Sequence, residues 1–341
     1  MNDAEIKLAL KNWRSLLRSY QMPNHKKAFI QIANSILPSI GITALMIYSV
    51  HLGMYWLLAL LAILNGLFLS RIFIIQHDCG HQSFFKEKNL NKTVGLMCSV
   101  FTSIPYSYWA KAHDFHHAHN GQMEFRGIGD IPTMTVEEFK NSSWFKRMAY
   151  RVLRSDVGIL FIAPVAYMLF SNRFPLYNLN KGWKKVRRSQ VYNNLILLGI
   201  YIGFAFIFGF KAFLLVQLLN IVAFGIIAFW FFYVQHQHEE TYREWKHNWD
   251  HLLASIRGST YYDLPKVLNW FTGNIGFHHI HHLNSRIPNY NLIECAKKNP
   301  VLQKYVTKIK FIESFKCLRN KLWDEEQKKM VTWREAKLNL I

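Results

Sequence analysis

The chain has 341 residues, of which 51 % are hydrophobic and 16 % aromatic, and it carries a formal net charge of +20 with histidine counted as neutral. That balance excludes an ordinary soluble domain and a disordered chain alike. Its Lys and Arg residues flank apolar runs instead of forming a separate basic domain, which sets nucleic acid aside as a partner and points to a polytopic membrane protein.

In chain order, residues 3–20 place Ile6, Leu10, Trp13 and Leu17 at helical spacing, with Lys7, Lys11, Arg14 and Arg18 elsewhere on the wheel. Residues 1–27 therefore read as an amphipathic cytoplasmic segment, lying on the membrane or packed on the rest of the protein. The absence of a cleavage site predicts insertion without processing. Residues 28–49 and 52–75 are apolar spans joined too tightly for anything but a helical hairpin, the second interrupted only by Arg71. A second pair, 189–210 and 212–235, is divided by "GFKA". Two shorter apolar stretches, 93–110 and 156–171, contain proline and read as interfacial or re-entrant. Parity agrees, because a crossing at 93–110 would put the histidines on either side of it on opposite faces of the bilayer.

The expected organisation is thus a membrane domain over 28–295 and a charged, helical tail over 296–341 folded against the cytoplasmic face. The fold class is an all-α integral membrane protein: four transmembrane helices in two hairpins, with re-entrant helices and a His-rich cytoplasmic cap. Basic residues crowd 1–27 and 172–192 and are missing from the link at Val50 and His51, so the termini and histidines are expected in the cytoplasm. Cys79, Cys98, Cys295 and Cys317 are widely spaced and read as reduced and non-ligating.

Three histidine clusters carry the chemistry. "QHDCGH" holds His77 and His81, "AHDFHH" holds His113, His116 and His117, and "GFHHIHH" holds His278, His281 and His282. On a helix these three- and four-residue separations put the side chains on one face, within reach of a common ion. Random placement would give H-x-x-H-H roughly 0.04 times in such a chain, and it occurs twice. Eight imidazoles exceed the four-coordinate shell of one zinc ion, so two metal ions are the simpler account, and open, His-rich sites favour redox iron. A ninth ligand comes from "FYVQHQHEETY", as His236 or His238, with His236 preferred because it is nearer the helix end. Asp78, Asp114 and Asn274 are candidates to orient ring N–H groups. His119 and His279 fall outside the triple spacing, and His25, His51, His247 and His251 are background.

Together "RIFIIQHDCGHQSFF", "AHDFHHAHN", "FRGIGDIPTMTVEEFK", "FYVQHQHEETY" and "YYDLPKVLNWFTGNIGFHHIHHLNSRIPNYNL" resemble the membrane fatty acid desaturase family, and within it the cold-induced, delta-5-like bacterial acyl-lipid desaturases. The resemblance implies a non-haem di-iron enzyme that uses O₂ and two electrons to place a cis double bond in a saturated acyl chain. Carried over by motif, the iron ligands would be His77, His81, His113, His116, His117, His236, His278, His281 and His282. His279 stands at a position of the last box that needs no histidine. Phospholipid acyl chains would be the substrate, in the plasma membrane. A separate soluble donor, ferredoxin or flavodoxin, would bring electrons to the basic face, since no His-Pro-Gly-Gly stretch marks a fused haem module. The nearest rivals are a membrane di-iron hydroxylase or ketolase; a zinc-dependent hydrolase and a metal transporter are more distant.

Overall fold

The computed structural model describes residues 2–174, 176 and 181–337. Part of the basic run 172–192 and the last residues of the tail lie outside the described residues.

The N-terminal helices α1 (Asp3–Ala9) and α2 (Trp13–Arg18) bury Ile6, Leu10, Trp13 and Leu17 in a core cluster with Leu253, Ile280 and Leu292. The amphipathic face is covered by the chain's own cap. The spans are α3 (His25–His51), α4 (Tyr55–Gly80), α10 (Lys181–Phe208) and α11 (Phe210–His236), each long and apolar enough to cross a membrane. Toward the cap all four run past the limits that hydropathy alone suggests, because polar turns such as His77–Gly80 continue the same helix, whereas α4 begins only at Tyr55 and α10 already ends at Phe208. Two hairpins result. α4 and α11 pack side by side and parallel, with Asn65 Nδ2 donating to Asn220 Oδ1 at 2.9 Å. Asn65 also accepts from Ser39 Oγ at 2.8 Å and donates to Thr43 Oγ1 at 3.1 Å. Arg71 donates to the Trp270 carbonyl and lies 3.8 Å from the centroid of that indole, so its charge is turned out of the apolar layer.

Between the hairpins the chain dips twice. The first dip is α5 (Lys88–Thr102) and α6 (Tyr106–His119), which meet at Ser103, a residue with φ of 59°. After α7 (Val136–Lys140), α8 (Trp144–Leu153) leads into the second. That is the apolar segment Gly158–Ser171, set at 73° to α8, in which two π-helical turns, 158–162 and 167–171, flank the short helix α9 (Ala163–Ala166). A prolyl ring at Pro164 cannot donate to the helical ladder, and the wide turns on either side absorb the mismatch.

The cap follows α11. It comprises α12 (His251–Arg257), β1 (Thr260–Asp263), α13 (Lys266–Phe271), α14 (His278–Leu283), α15 (Asn289–Lys298), α16 (Val301–Lys304), β2 (Thr307–Lys310), β3 (Leu322–Asp324) and β4 (Lys329–Val331). The tail corrects the expectation of a helical 296–341. β2 pairs in parallel with β1, and β3 and β4 form an antiparallel hairpin. Within "TKIK" only Ile309 is buried, between exposed lysines, and this alternation suits the free edge of β1 better than a helix. All four cysteines are free and buried.

Candidate metal centre

α4 and α11 both end in histidines, α6 packs against the last turns of α4, with Ala110 facing Gly80, and α14 brings the last box to the same place, so four helices aim histidines into one space. His77, His81, His113, His117 and His281 bring one ring nitrogen each within 4.8 Å of one another, and His116, His236 and His282 form a second group by the same measure. His278 joins the second, its Nε2 lying 2.9 Å from His236 Nε2 and 3.1 Å from His282 Nε2. His116 Nε2 is 3.2 Å from His236 Nε2, and His113 Nε2 is 3.2 Å from His117 Nε2. Nine imidazoles converge as a group of five and a group of four.

The chain's own acceptors fix several tautomers. Nδ1 of His77 is 2.9 Å from Asp78 Oδ1, Nδ1 of His81 is 3.0 Å from Asp114 Oδ1, and Nδ1 of His236 is 3.1 Å from the Gly258 carbonyl. Each of these rings must carry its proton on Nδ1, which leaves Nε2 with a lone pair turned inward. In His236 that lone pair faces the Nε2 atoms of both His116 and His278. Nε2 of His81 and both nitrogens of His281 are buried with no hydrogen-bond partner among the described residues. Convergent, unprotonated, unpartnered nitrogens are costly in a bare protein, and a pair of nitrogen-binding metal ions satisfies them. The donor set fits.

Burial keeps the rings neutral, as ligation requires. It pushes His116 down to about 4, Asp130 opposing and the Arg243 guanidinium adding to the shift. His113, His278, His281 and His282 are driven well below the ordinary imidazole range, first by burial and then by neighbouring imidazoles, His116 among them in each case.

Of the two candidates at the end of α11, the inward ring belongs to His236. His238 is turned the other way, its Nε2 donating to the Arg257 carbonyl at 3.0 Å, and burial holds it down at about 4. His119 points its Nδ1 back at the Phe115 carbonyl, 2.9 Å away. Asn274 departs from expectation: it adopts a φ of 62°, and its Nδ2 lies 3.5 Å from the Asn289 carbonyl, so the asparagine shapes the turn before α14 and bonds to no imidazole among the described residues. The residue that sequence reasoning missed is Asn289, whose backbone N–H and Nδ2 donate to Asp78 Oδ2 at 2.6 and 2.8 Å. Gly129 has a φ of +68°, and a Cβ there would meet the Ala112 carbonyl at 2.6 Å and His116 Cβ at 3.2 Å. Only glycine lets the loop 127–131 lie this close under the second histidine box.

A cavity of about 500 Å³ runs past His77, His113 and His278. Its walls below the histidines are apolar, with Phe73, Phe224 and Phe232 among them.

The family model for fatty acid desaturases matches residues 54–311. Over 338 residues the chain is 38 % identical to a fatty acid desaturase of Bacillus subtilis, covering 99 % of this chain and 94 % of that one. The chain belongs to the fatty acid desaturase family. It is also 27 % identical to the sn-1 oleoyl-lipid 12-desaturase of Synechocystis, over 78 % of this chain and 76 % of the relative. With the chloroplastic sn-2 acyl-lipid omega-3 desaturase (ferredoxin) of Helianthus annuus it shares 25 % identity, over 71 % of this chain and 55 % of the relative. As a fatty acid desaturase the chain is an oxidoreductase, and a cluster able to bind metal stands against the wall of an apolar cavity.

Proposed function

We propose that this desaturase acts on acyl chains carried by membrane lipids and introduces a cis double bond into a saturated segment. Two hydrogens leave adjacent methylenes, and O₂, with two further electrons and two protons, is reduced to two waters. One iron would be held by His77, His81, His113, His117 and His281, and the other by His116, His236, His278 and His282. Iron so held supplies the oxidising power that an unactivated C–H bond demands. The observation that carries the reading is the apolar cavity lined by three of the nine convergent imidazoles, those of His77, His113 and His278.

The protein's own contribution is position and protection. A methylene offers no polar handle, so the cavity walls must hold the chain straight and at fixed depth while water is kept out. Asp78 and Asp114 keep His77 and His81 in the ligating tautomer, and their negative charge offsets that of neutral-ligand cations. The reading places the protein in the plasma membrane as a multi-pass enzyme with its cap in the cytoplasm, in keeping with the basic residues around α2 and α10. There a separate soluble donor reaches the metal centre. A ferredoxin is the favoured class, because such donors are acidic and one relative is named for it.

Expression in a host whose lipids are largely saturated, followed by gas chromatography and mass spectrometry of derivatised fatty acids, tests this. A new cis-unsaturated acid is expected. A hydroxy acid in its place would overturn desaturation in favour of oxygen insertion.

A further inference from the structure

The cavity has two unlike ends. Toward the tail it is lined by Asp130, Tyr150 and Arg154, and Arg154 Nη2 donates to Gln237 Oε1 at 3.0 Å and to the Asn320 carbonyl at 2.8 Å. In the opposite direction it runs down α11 as far as Phe224 and Gly225. Gly225 lies on the same helix as His236, about three turns and about 16 Å deeper by the helical rise. An acyl chain has one polar end and one apolar end, so it lies in this space with the methyl terminus downward.

The lower end is walled by the second dip. Met168, on the π-helical turn 167–171, is 3 % exposed and lines the cavity. A Cβ added at Gly225 would come within 2.9 Å of Met168 Cγ and 3.6 Å of the Pro164 carbonyl, so the thioether is seated in the hollow that the missing side chain leaves. Beneath it the tips of the two dips are bolted together. Arg173 donates to the Ser103 carbonyl and, through Nη1, to Asn194 Oδ1 at 2.7 Å. Ser103 Oγ is 2.6 Å from the Tyr201 hydroxyl, and Gln217 Nε2 donates to both, at 3.3 and 3.0 Å. Gln217 lies on α11 about 12 Å beyond Gly225 by the helical rise. A polar cluster whose groups satisfy one another in an apolar layer resists being opened. A chain that passes Met168 meets Ser171 and Asn172, polar residues that also line the cavity.

We propose that Met168, seated on Gly225, is the floor of the acyl cavity and sets the longest chain the enzyme accepts. This rests on the desaturase reading above. Met is unbranched and deformable, so chains somewhat shorter than the limit are tolerated while longer ones meet the polar cluster.

The test feeds palmitate, stearate and eicosanoate to cells expressing the full-length enzyme, Met168→Ala or Gly225→Val, and measures the ratio of unsaturated products by chain length. Met168→Ala is expected to raise the eicosanoate-to-palmitate product ratio several-fold. Gly225→Val pushes Met168 upward and is expected to lower it by a similar factor. Met168→Leu keeps volume and apolarity, and is expected to restore the parental ratio. The same parental ratio in Met168→Ala and Gly225→Val would overturn the floor assignment. An unsubstituted enzyme that binds iron, receives electrons and makes no double bond at any length would instead overturn the desaturase reading itself.

Discussion

The carboxylate of Asp78 lies 2.9 Å from Nδ1 of His77 and turns its other oxygen to Asn289, 2.6 Å from the backbone nitrogen. One buried side chain thus ties the first histidine box on α4 to the segment that follows the last box.

Asp78→Asn is expected to lower iron affinity about 10- to 100-fold, because the amide can present its own N–H to Nδ1 and no longer fixes the ring proton there. Asp114, which plays the matching part for His81 but is 58 % exposed, should cost less when replaced by Asn. The iron-to-protein ratio of the purified variants after graded chelation checks both, and equal retention by both variants and the parent would refute the ordering.

His236→Ala and His238→Ala should separate cleanly. The first removes a ring facing two other imidazoles, so desaturation and bound iron are both expected to fall away while membrane insertion persists. The second removes a ring bonded to the Arg257 carbonyl and should leave the iron content near the parental level. His116→Ala and His281→Ala should match His236→Ala in product analysis, and His51→Ala, at the far end of α3, should be nearly silent.

The docking of the N-terminal helices should weaken in acid. His251 stacks on Trp13 at a ring distance of 6.0 Å, and burial, then Arg14, hold its pKa below the ordinary 6.5, Asp250 opposing. With a folded value below the unfolded one, docking is at full strength above pH 6.5 and is lost progressively as pH falls below that value, because the undocked ring takes the proton more readily. The ion pairs of Lys7 with Asp250 and Arg257 with Asp3 also hold these helices to the cap and limit the effect. Hydrogen exchange of residues 3–18 at pH 7.5 and 5.5 measures it, and faster exchange at the higher pH after correction for the intrinsic rate would contradict the sign.

Asn65→Leu should destabilise the membrane domain by about 1–2 kcal/mol, since it leaves Ser39, Thr43 and Asn220 short of partners inside the apolar layer. Thermal unfolding in detergent reads the loss, and an unchanged midpoint would show that these groups find other partners.

The four spans and the histidine boxes were legible in the sequence for the same reason. Both are local patterns, a run of apolar residues or a three- and four-residue spacing, and a helix converts either into a surface without help from distant residues. His236 could be preferred over His238 from its nearness to a helix end. Asn289 could not be found, because its bond to Asp78 joins segments 211 positions apart. The same holds for β2, whose partner β1 lies on the far side of the last histidine box, and for Met168, whose place opposite Gly225 depends on how two π-helical turns bend around Pro164. Asn274 misled because an asparagine beside a histidine box is equally suited to a turn with positive φ.

The pairing of β2 with β1 also orders events during synthesis. His278, His281 and His282 leave the ribosome only after all four spans, and the strand that backs β1, Thr307–Lys310, is made later still. A nascent chain can therefore be fully threaded into the bilayer while its histidines remain an open, incomplete set. Iron captured at that point meets at most six of the nine rings, and the set of nine is complete only once α14 has been made and has folded beside the others. The last ligands thus join only after the four spans have been made.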